Sequence, residues 1–197
     1  ACVFGGPDLT MSTINDHFGT NISQYVMVNI SGLADIIDLL GGVDLDVTKE
    51  ERDALNKGLF DLSEYSGMEK LEEYGEGVHL NGNQAVAFAR IRKIDSDFQR
   101  IGRQQQLIES AAEQVKAMNL LELLNLAVTL LDEVETDLTL SDLAALAPLL
   151  GCDTLDIQGA HVPFDGAYVD ETVDGMMVLT PDLPANRSQL KRFLEGD

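Results

Sequence analysis

Arg90, Arg92, Lys93, Arg100 and Arg103 fall within fourteen residues whose only carboxylates are Asp95 and Asp97. The whole chain of 197 residues carries 13 Lys plus Arg against 34 Asp plus Glu, a net charge of −21. An anion approaching so acidic a molecule finds favourable charge only where cations gather and donors converge. Guanidiniums suit that task, because each presents a planar fork of N–H donors matched to phosphate oxygens. Arg100 and Arg103 are spaced i, i+3, which places both on one helix face, and Arg90 and Arg92 approach from the preceding segment. A helix starting near residue 97 adds unpaired backbone N–H groups and a partial positive charge. Arginines in its first turn oppose the macrodipole unless an anion offsets them. The four arginines are therefore expected to hold a phosphate or pyrophosphate. The competing reading is a surface helix whose arginines pair with Asp95, Asp97 and nearby glutamates. Asp97 has three readings, as a cap, a metal ligand or a general base, of which capping or charge balancing comes first.

Other chemistries are excluded by what is missing. There is no Gly-x-Ser-x-Gly elbow, no Gly-x-x-x-x-Gly-Lys loop and no Gly-x-Gly-x-x-Gly fingerprint. His17, His79 and His161 show no two-histidine metal spacing and read as surface or packing residues. Asp44, Asp46 and Glu50 or Glu51 lack the glycine turn of an EF-hand loop. The charge of −21 repels polyphosphate backbones, so nucleic-acid binding is not expected. Cys2 and Cys152 are either one disulfide or two free thiols.

The elements that must position the arginines read as an α/β pattern. Pro7 suits the start of a helix over 6–18, and a strand follows at 24–30. Ser31 is expected to cap a helix carrying Leu33, Ile36, Ile37 and Leu40, stopped by Gly41-Gly42. Val43, Leu45 and Val47 alternate with Asp44, Asp46 and Thr48 as in a half-buried strand. Residues 49–79 read as a long polar excursion with at most one short helix. Asn81-Gly82 turns into a helix over 84–90, an irregular segment spans 91–96, and a long helix spans 97–117 with Ser96 and Gln99 as its capping box. Helices are expected at 120–134, 141–150 and 186–194, with strands at 155–162 and 176–180. The helix at 120–134 is leucine-rich, either core packing or the wall of a pocket for a long hydrocarbon. No stretch approaches the roughly 18 apolar residues of a membrane span, nor does the start look like a leader peptide.

The run Leu80-Asn81-Gly82-Asn83-Gln84-Ala85-Val86-Ala87-Phe88-Ala89-Arg90-Ile91-Arg92-Lys93, then Asp95-Ser96-Asp97-Phe98-Gln99-Arg100 and Arg103-Gln104, resembles the LytR-CpsA-Psr family of bacterial cell-envelope proteins. Gly5-Gly6-Pro7, Phe18-Gly19, Tyr25-Val26, Val28-Asn29 and Asp38 with Leu40-Gly41-Gly42-Val43 are similar to that family in its order, so the likeness runs from about residue 3 to 118.

The resemblance implies one α/β domain over 1–197, with a mixed central sheet sandwiched between helical layers and an amino-terminal part missing. It implies an extracytoplasmic phosphotransferase that moves a glycopolymer, such as teichoic acid or capsular polysaccharide, from an undecaprenyl-pyrophosphate carrier to peptidoglycan. Arg90, Arg92, Arg100, Arg103 and Gln104 would bind the pyrophosphate, with Asp97 and Arg100 the residues nearest to catalysis. Mg2+ would be the cofactor, its ligands in the missing segment, and the membrane would be reached through the lipid substrate and an anchor. A non-catalytic polyprenyl-pyrophosphate binding module, a pyrophosphate hydrolase and, least of all given the charge, a transcriptional attenuator are the alternatives.

Overall fold

The computed structural model describes residues 2–61, 69–92, 94–139, 141–142, 145 and 158–196. Two compact units are present, one of residues Val26–Ile157 and one of Ala1–Tyr25 with Gln158–Asp197.

In the first unit, β1 (Val26–Val28) leads into α2 (Ile30–Leu39), and β2 (Val43–Val47) leads into α3 (Lys49–Asp61). Then come β3 (Gly75–Leu80), α4 (Gly82–Ala89), α5 (Asp97–Ala117), α6 (Leu120–Glu133) and β4 (Val134–Thr136). Strand β2 alternates buried and exposed residues along its length, as its apolar–polar sequence requires. It pairs antiparallel with β3, with Val43 opposite Leu80 and Leu45 opposite Val78, while β1 pairs antiparallel with β4. Helix α4 is enclosed almost entirely, and Phe88, Ile37, Leu55, Leu80 and Val43 are among the largest fully buried side chains of the core. The fold is thus α/β, with the described strands paired as antiparallel ladders.

Within 49–79, residues 49–61 and 75–79 form regular structure that their polarity does not suggest. Helix α3 occupies 49–61 and, among the described side chains, buries Leu55 and Leu59, too sparse a stripe to announce a helix. Its start is nonetheless written in a capping box: Thr48 Oγ1 accepts from the Glu51 amide at 3.2 Å, and Glu51 Oε2 accepts from the Thr48 amide at 3.0 Å. Strand β3 hides behind two glycines with positive φ, 134° at Gly75 and 62° at Gly77.

The cap of α2 is Asn29 rather than Ser31. Its side chain accepts from the Gly32 amide at 2.7 Å, so the helix starts at Ile30, earlier than a Ser31 cap allows. Asn29→Ala is expected to cost about 1 kcal/mol in denaturant unfolding, and Ser31→Ala to leave the midpoint nearly unchanged.

Helix α4 begins at Gly82 for reasons of approach, not of turn geometry. A Cβ there would lie 2.0 Å from the Ala34 carbonyl oxygen, so only glycine lets α4 seat on α2. The Gly82 amide donates to Asp38 Oδ1 at 2.6 Å, and Asn81 with Gln84 closes a full capping box. These contacts give physical content to the Asp38 and Asn81-Gly82 positions of the sequence pattern.

The second unit holds α1 (Cys2–Phe18), the hairpin β5 (Tyr168–Val173) and β6 (Met176–Pro181), and α7 (Leu183–Glu195). Helix α1 leaves helical geometry at Gly5 and Gly6 and resumes at Pro7. The hairpin turns on Asp174-Gly175, φ 51° and 79°, the pair of positive angles that suits a two-residue loop. Asn186, wholly buried, donates to the Ala167 carbonyl at 2.7 Å and accepts from the Phe164 amide at 2.8 Å, tying the loop before β5 to α7. Arg187 donates to the last carbonyls of α1, at Asp16 and His17, both at 2.6 Å. Residues 158–162 are not in a strand, and most of the helix expected at 141–150, Cys152 and residues 155–157 of the expected strand lie outside the described residues. Cys2 is exposed.

Candidate functional site

The arginine segment joins α4 to α5. Arg90 is the last residue of α4's final turn, with its amide donating to the Val86 carbonyl at 3.2 Å. Ile91 is buried at 4% exposure, while Arg90 and Arg92 on either side of it are exposed. Ser96 caps α5 by accepting from the Gln99 amide at 3.4 Å, so the cap is not Asp97. Asp97 is the first helical residue, 76% exposed, where a carboxylate favours the helix dipole, and it ion-pairs with Arg100. Lys93 lies outside the described residues.

The four arginines fall into two kinds. Arg103 is only 3% exposed, and its guanidinium is spread over three acceptors. Nη1 donates to Asp95 Oδ2 at 2.5 Å and to Glu51 Oε1 at 3.1 Å, and Nη2 donates to Asp95 Oδ1 at 2.9 Å and to the Ile91 carbonyl at 3.2 Å. Nε has no partner. This forked pairing with Arg103 holds the Asp95 carboxyl below its ordinary range, and Asp95 in turn raises Arg103. Arg100 keeps 22% of its side chain exposed beside Asp97. Arg90 and Arg92 make no ion pair among the described residues, although the chain has 34 carboxylates to offer. Gln104 is exposed, with Nε2 donating to the Ala89 carbonyl at 3.4 Å.

The local charge therefore divides. Asp97 offsets Arg100, and Asp95 with Glu51 offset Arg103, so among the described residues the unmatched positive charge of the segment sits at Arg90 and Arg92. Glu51 escaped the reading of the sequence; its signal was the Thr-x-x-Glu capping box, which says where a helix starts but not that the same carboxylate reaches α5.

Among the described residues no group of three or more His, Cys, Asp or Glu could hold a metal ion. Those residues do not by themselves fit a magnesium site. His79 Nδ1 lies 2.8 Å from Asp44 Oδ1, His17 contacts the Thr13 carbonyl and His161 the Pro163 carbonyl, surface and packing roles as expected. Beside α6, a cavity of about 480 Å³ is lined by Leu39, Leu40, Met118 and Leu126 together with Gln114 and Glu122. No helix among the described residues is long and apolar enough to cross a membrane.

The LytR_cpsA_psr family matches residues 1–192. Over 171 residues the chain is 31% identical to the polyisoprenyl-teichoic acid–peptidoglycan teichoic acid transferase TagV of Bacillus subtilis, covering 80% of this chain and 41% of that protein. The crystal structure of B. subtilis TagV superposes with a TM-score of 0.68 at 25% identity, over 99% of this chain and 73% of that one. The structure of TagT bound to LIIa-WTA shares the fold with a TM-score of 0.72 at 20% identity, over 100% of this chain and 69% of that one. The chain thus spans about two fifths of the length of the full TagV protein it matches.

Proposed function

Because this chain belongs to the LytR-CpsA-Psr family, we propose that it serves the transfer of a phosphosaccharide from an undecaprenyl-pyrophosphate carrier to peptidoglycan, with its arginine segment gripping the pyrophosphate. The observation that carries the reading is the pair Arg90 and Arg92, exposed and without a carboxylate partner among the described residues of a chain whose net charge is −21. Two unpaired guanidiniums on one short connector are the natural seat of a doubly charged anion. The named activity of TagV and the teichoic acid bound to TagT support the same substrate class.

In such a transfer an acceptor hydroxyl oxygen bonds to the phosphorus that carries the saccharide, and the bond from that phosphorus to the polyprenyl phosphate breaks. Negative charge grows on the bridging and non-bridging oxygens, and fixed cations lower the barrier by meeting it. Arg90 and Arg92 hold the leaving phosphate, and Arg100, kept in place by Asp97, reaches the phosphate under attack. Asp97 is 76% exposed against 26% for Asp95, so it is the carboxylate of this segment more open to an acceptor hydroxyl.

The test is incubation with a polyprenyl-pyrophosphate-linked saccharide, with and without peptidoglycan. Consumption of the lipid that depends on peptidoglycan and leaves polyprenyl phosphate is the expected result. Phosphate release at the same rate without acceptor would mean a hydrolase, and binding without any turnover would mean a binding module.

A further inference from the structure

We propose that Glu51 is a positioning residue for the anion site: from the start of α3 it sets the guanidinium of Arg103, and through Arg103 the backbone that carries Arg90 and Arg92. The inference rests on the reading of those two arginines as the anion-holding pair.

The Arg103 guanidinium touches the connector at two points, the Asp95 carboxylate and the Ile91 carbonyl. Ile91 is the residue between Arg90 and Arg92, so the place of its carbonyl fixes the backbone on which both are mounted. Asp95 belongs to that same connector and moves with it. It therefore cannot fix the guanidinium relative to the rest of the fold. Glu51 can, because it comes from 52 residues away, on a helix seated in the core beside α4 through Leu55 and Leu59. Its carboxylate is itself held: Oε2 accepts from the Thr48 amide at 3.0 Å and from Thr48 Oγ1 at 2.9 Å, leaving Oε1 aimed at Arg103 Nη1 at 3.1 Å. At 16% side-chain exposure the contact is shielded from water, where a charged hydrogen bond keeps more of its strength.

A positioning role and a purely electrostatic role predict opposite signs. Removing a carboxylate beside a cationic site makes the site more positive and strengthens anion binding. Removing a brace lets the connector drift and weakens binding, since a displacement of about 1 Å in a ligand clamp is costly.

The experiment is titration calorimetry of the full chain with inorganic pyrophosphate at fixed salt, comparing the parent with Glu51→Gln, Arg90→Ala/Arg92→Ala and Asn29→Ala. Glu51→Gln keeps the size of the side chain and an oxygen for Thr48 while losing the charge that orients Arg103. It is expected to bind pyrophosphate about tenfold more weakly than the parent. Asn29→Ala, a lost cap on α2, controls for a general loss of stability and is expected to bind as the parent does. Equal or tighter binding by Glu51→Gln would overturn the positioning role while the arginine variant's loss of binding kept the site itself intact. Weakening of Glu51→Gln and Asn29→Ala to the same extent would also overturn it, as an effect of stability. No binding by the parent would overturn the anion site and this inference together.

Discussion

Arg90→Ala/Arg92→Ala is expected to lower the affinity for a short-chain polyprenyl pyrophosphate by roughly a hundredfold or more, while leaving the melting temperature nearly where it is. Each guanidinium-to-phosphate hydrogen bond contributes about 1.5–3 kcal/mol when one partner is charged, and tenfold in affinity corresponds to about 1.4 kcal/mol. Stability is spared because both side chains are exposed and neither has an ion pair among the described residues to lose. Arg90→Lys/Arg92→Lys keeps the charge and discards the fork, so it should recover only part of the affinity. Parallel titrations with the pyrophosphate and with the monophosphate separate a grip on two phosphates from simple attraction to charge. Unchanged binding by the alanine variant would remove these arginines from the site.

Arg103→Met acts on the fold instead. It takes a guanidinium of 3% exposure away from Asp95 and Glu51 and leaves two carboxylates crowded without a cation. Breaking an enclosed ion pair from one side costs about 3 kcal/mol, which for a chain of this size corresponds to roughly 6–12 °C in melting temperature. The pH dependence identifies the cause. Asp95 is held below the ordinary aspartate range by the forked hydrogen bonds from Arg103. A carboxyl with a lowered folded value contributes stability that is fully present above its unfolded pKa and is lost as pH falls through the folded one. The gap between parent and variant should therefore be constant near neutrality and shrink on acidification below about pH 4. Denaturant melts at pH 7 and pH 3 provide the comparison, and a gap of the same size at both would place the loss in packing rather than in the pair.

The two predictions separate residues that look alike in the sequence. Arg100 and Arg103, at i, i+3 in the first turns of α5, suggested a single converging set of four with Arg90 and Arg92. Asp95, within the segment, was the competing partner and does pair with Arg103, but the second carboxylate that encloses it, Glu51, stands 52 residues upstream in what read as a polar excursion. Local chemistry was legible where local rules decide it. The alternation of β2, the span of α5 and the cap at Ser96 all follow from short-range hydrogen bonding and periodicity, whereas Asn81, read as a turn before a helix at 84–90, is itself the cap of a helix that starts at Gly82. The misreadings share one physical cause. Helix α3 and β3 are stabilised by a few long-range burials, Leu55, Leu59 and Val78, against a polar background that favours water when read alone. The pairing of β1 with β4, whose strands stand a hundred residues apart in the chain, is likewise decided by tertiary packing. The preference for Asn29 over Ser31 as a cap turns on two residues of equal local merit.

The family resemblance and the physical reading meet at the connector. The α4 helix is locked onto α2 by Gly82 and Asp38, α5 is capped at Ser96, and between them Ile91 and Asp95 are bonded to Arg103 by a carbonyl and a carboxylate. A rigid mount is what an anion clamp requires, since cations already in place need no reorganisation as charge develops. It also means that changes within the mount and changes to the exposed arginines should be separable by experiment, one read in unfolding and the other in binding.

The most direct measurement is mass spectrometry of an organic extract from the purified chain after incubation with a synthetic polyprenyl pyrophosphate and gel filtration, beside the Arg90→Ala/Arg92→Ala variant treated identically. Lipid pyrophosphate retained by the parent and absent from the variant is the predicted result. Equal retention by both, or none by the parent, would contradict a pyrophosphate grip at the arginine connector.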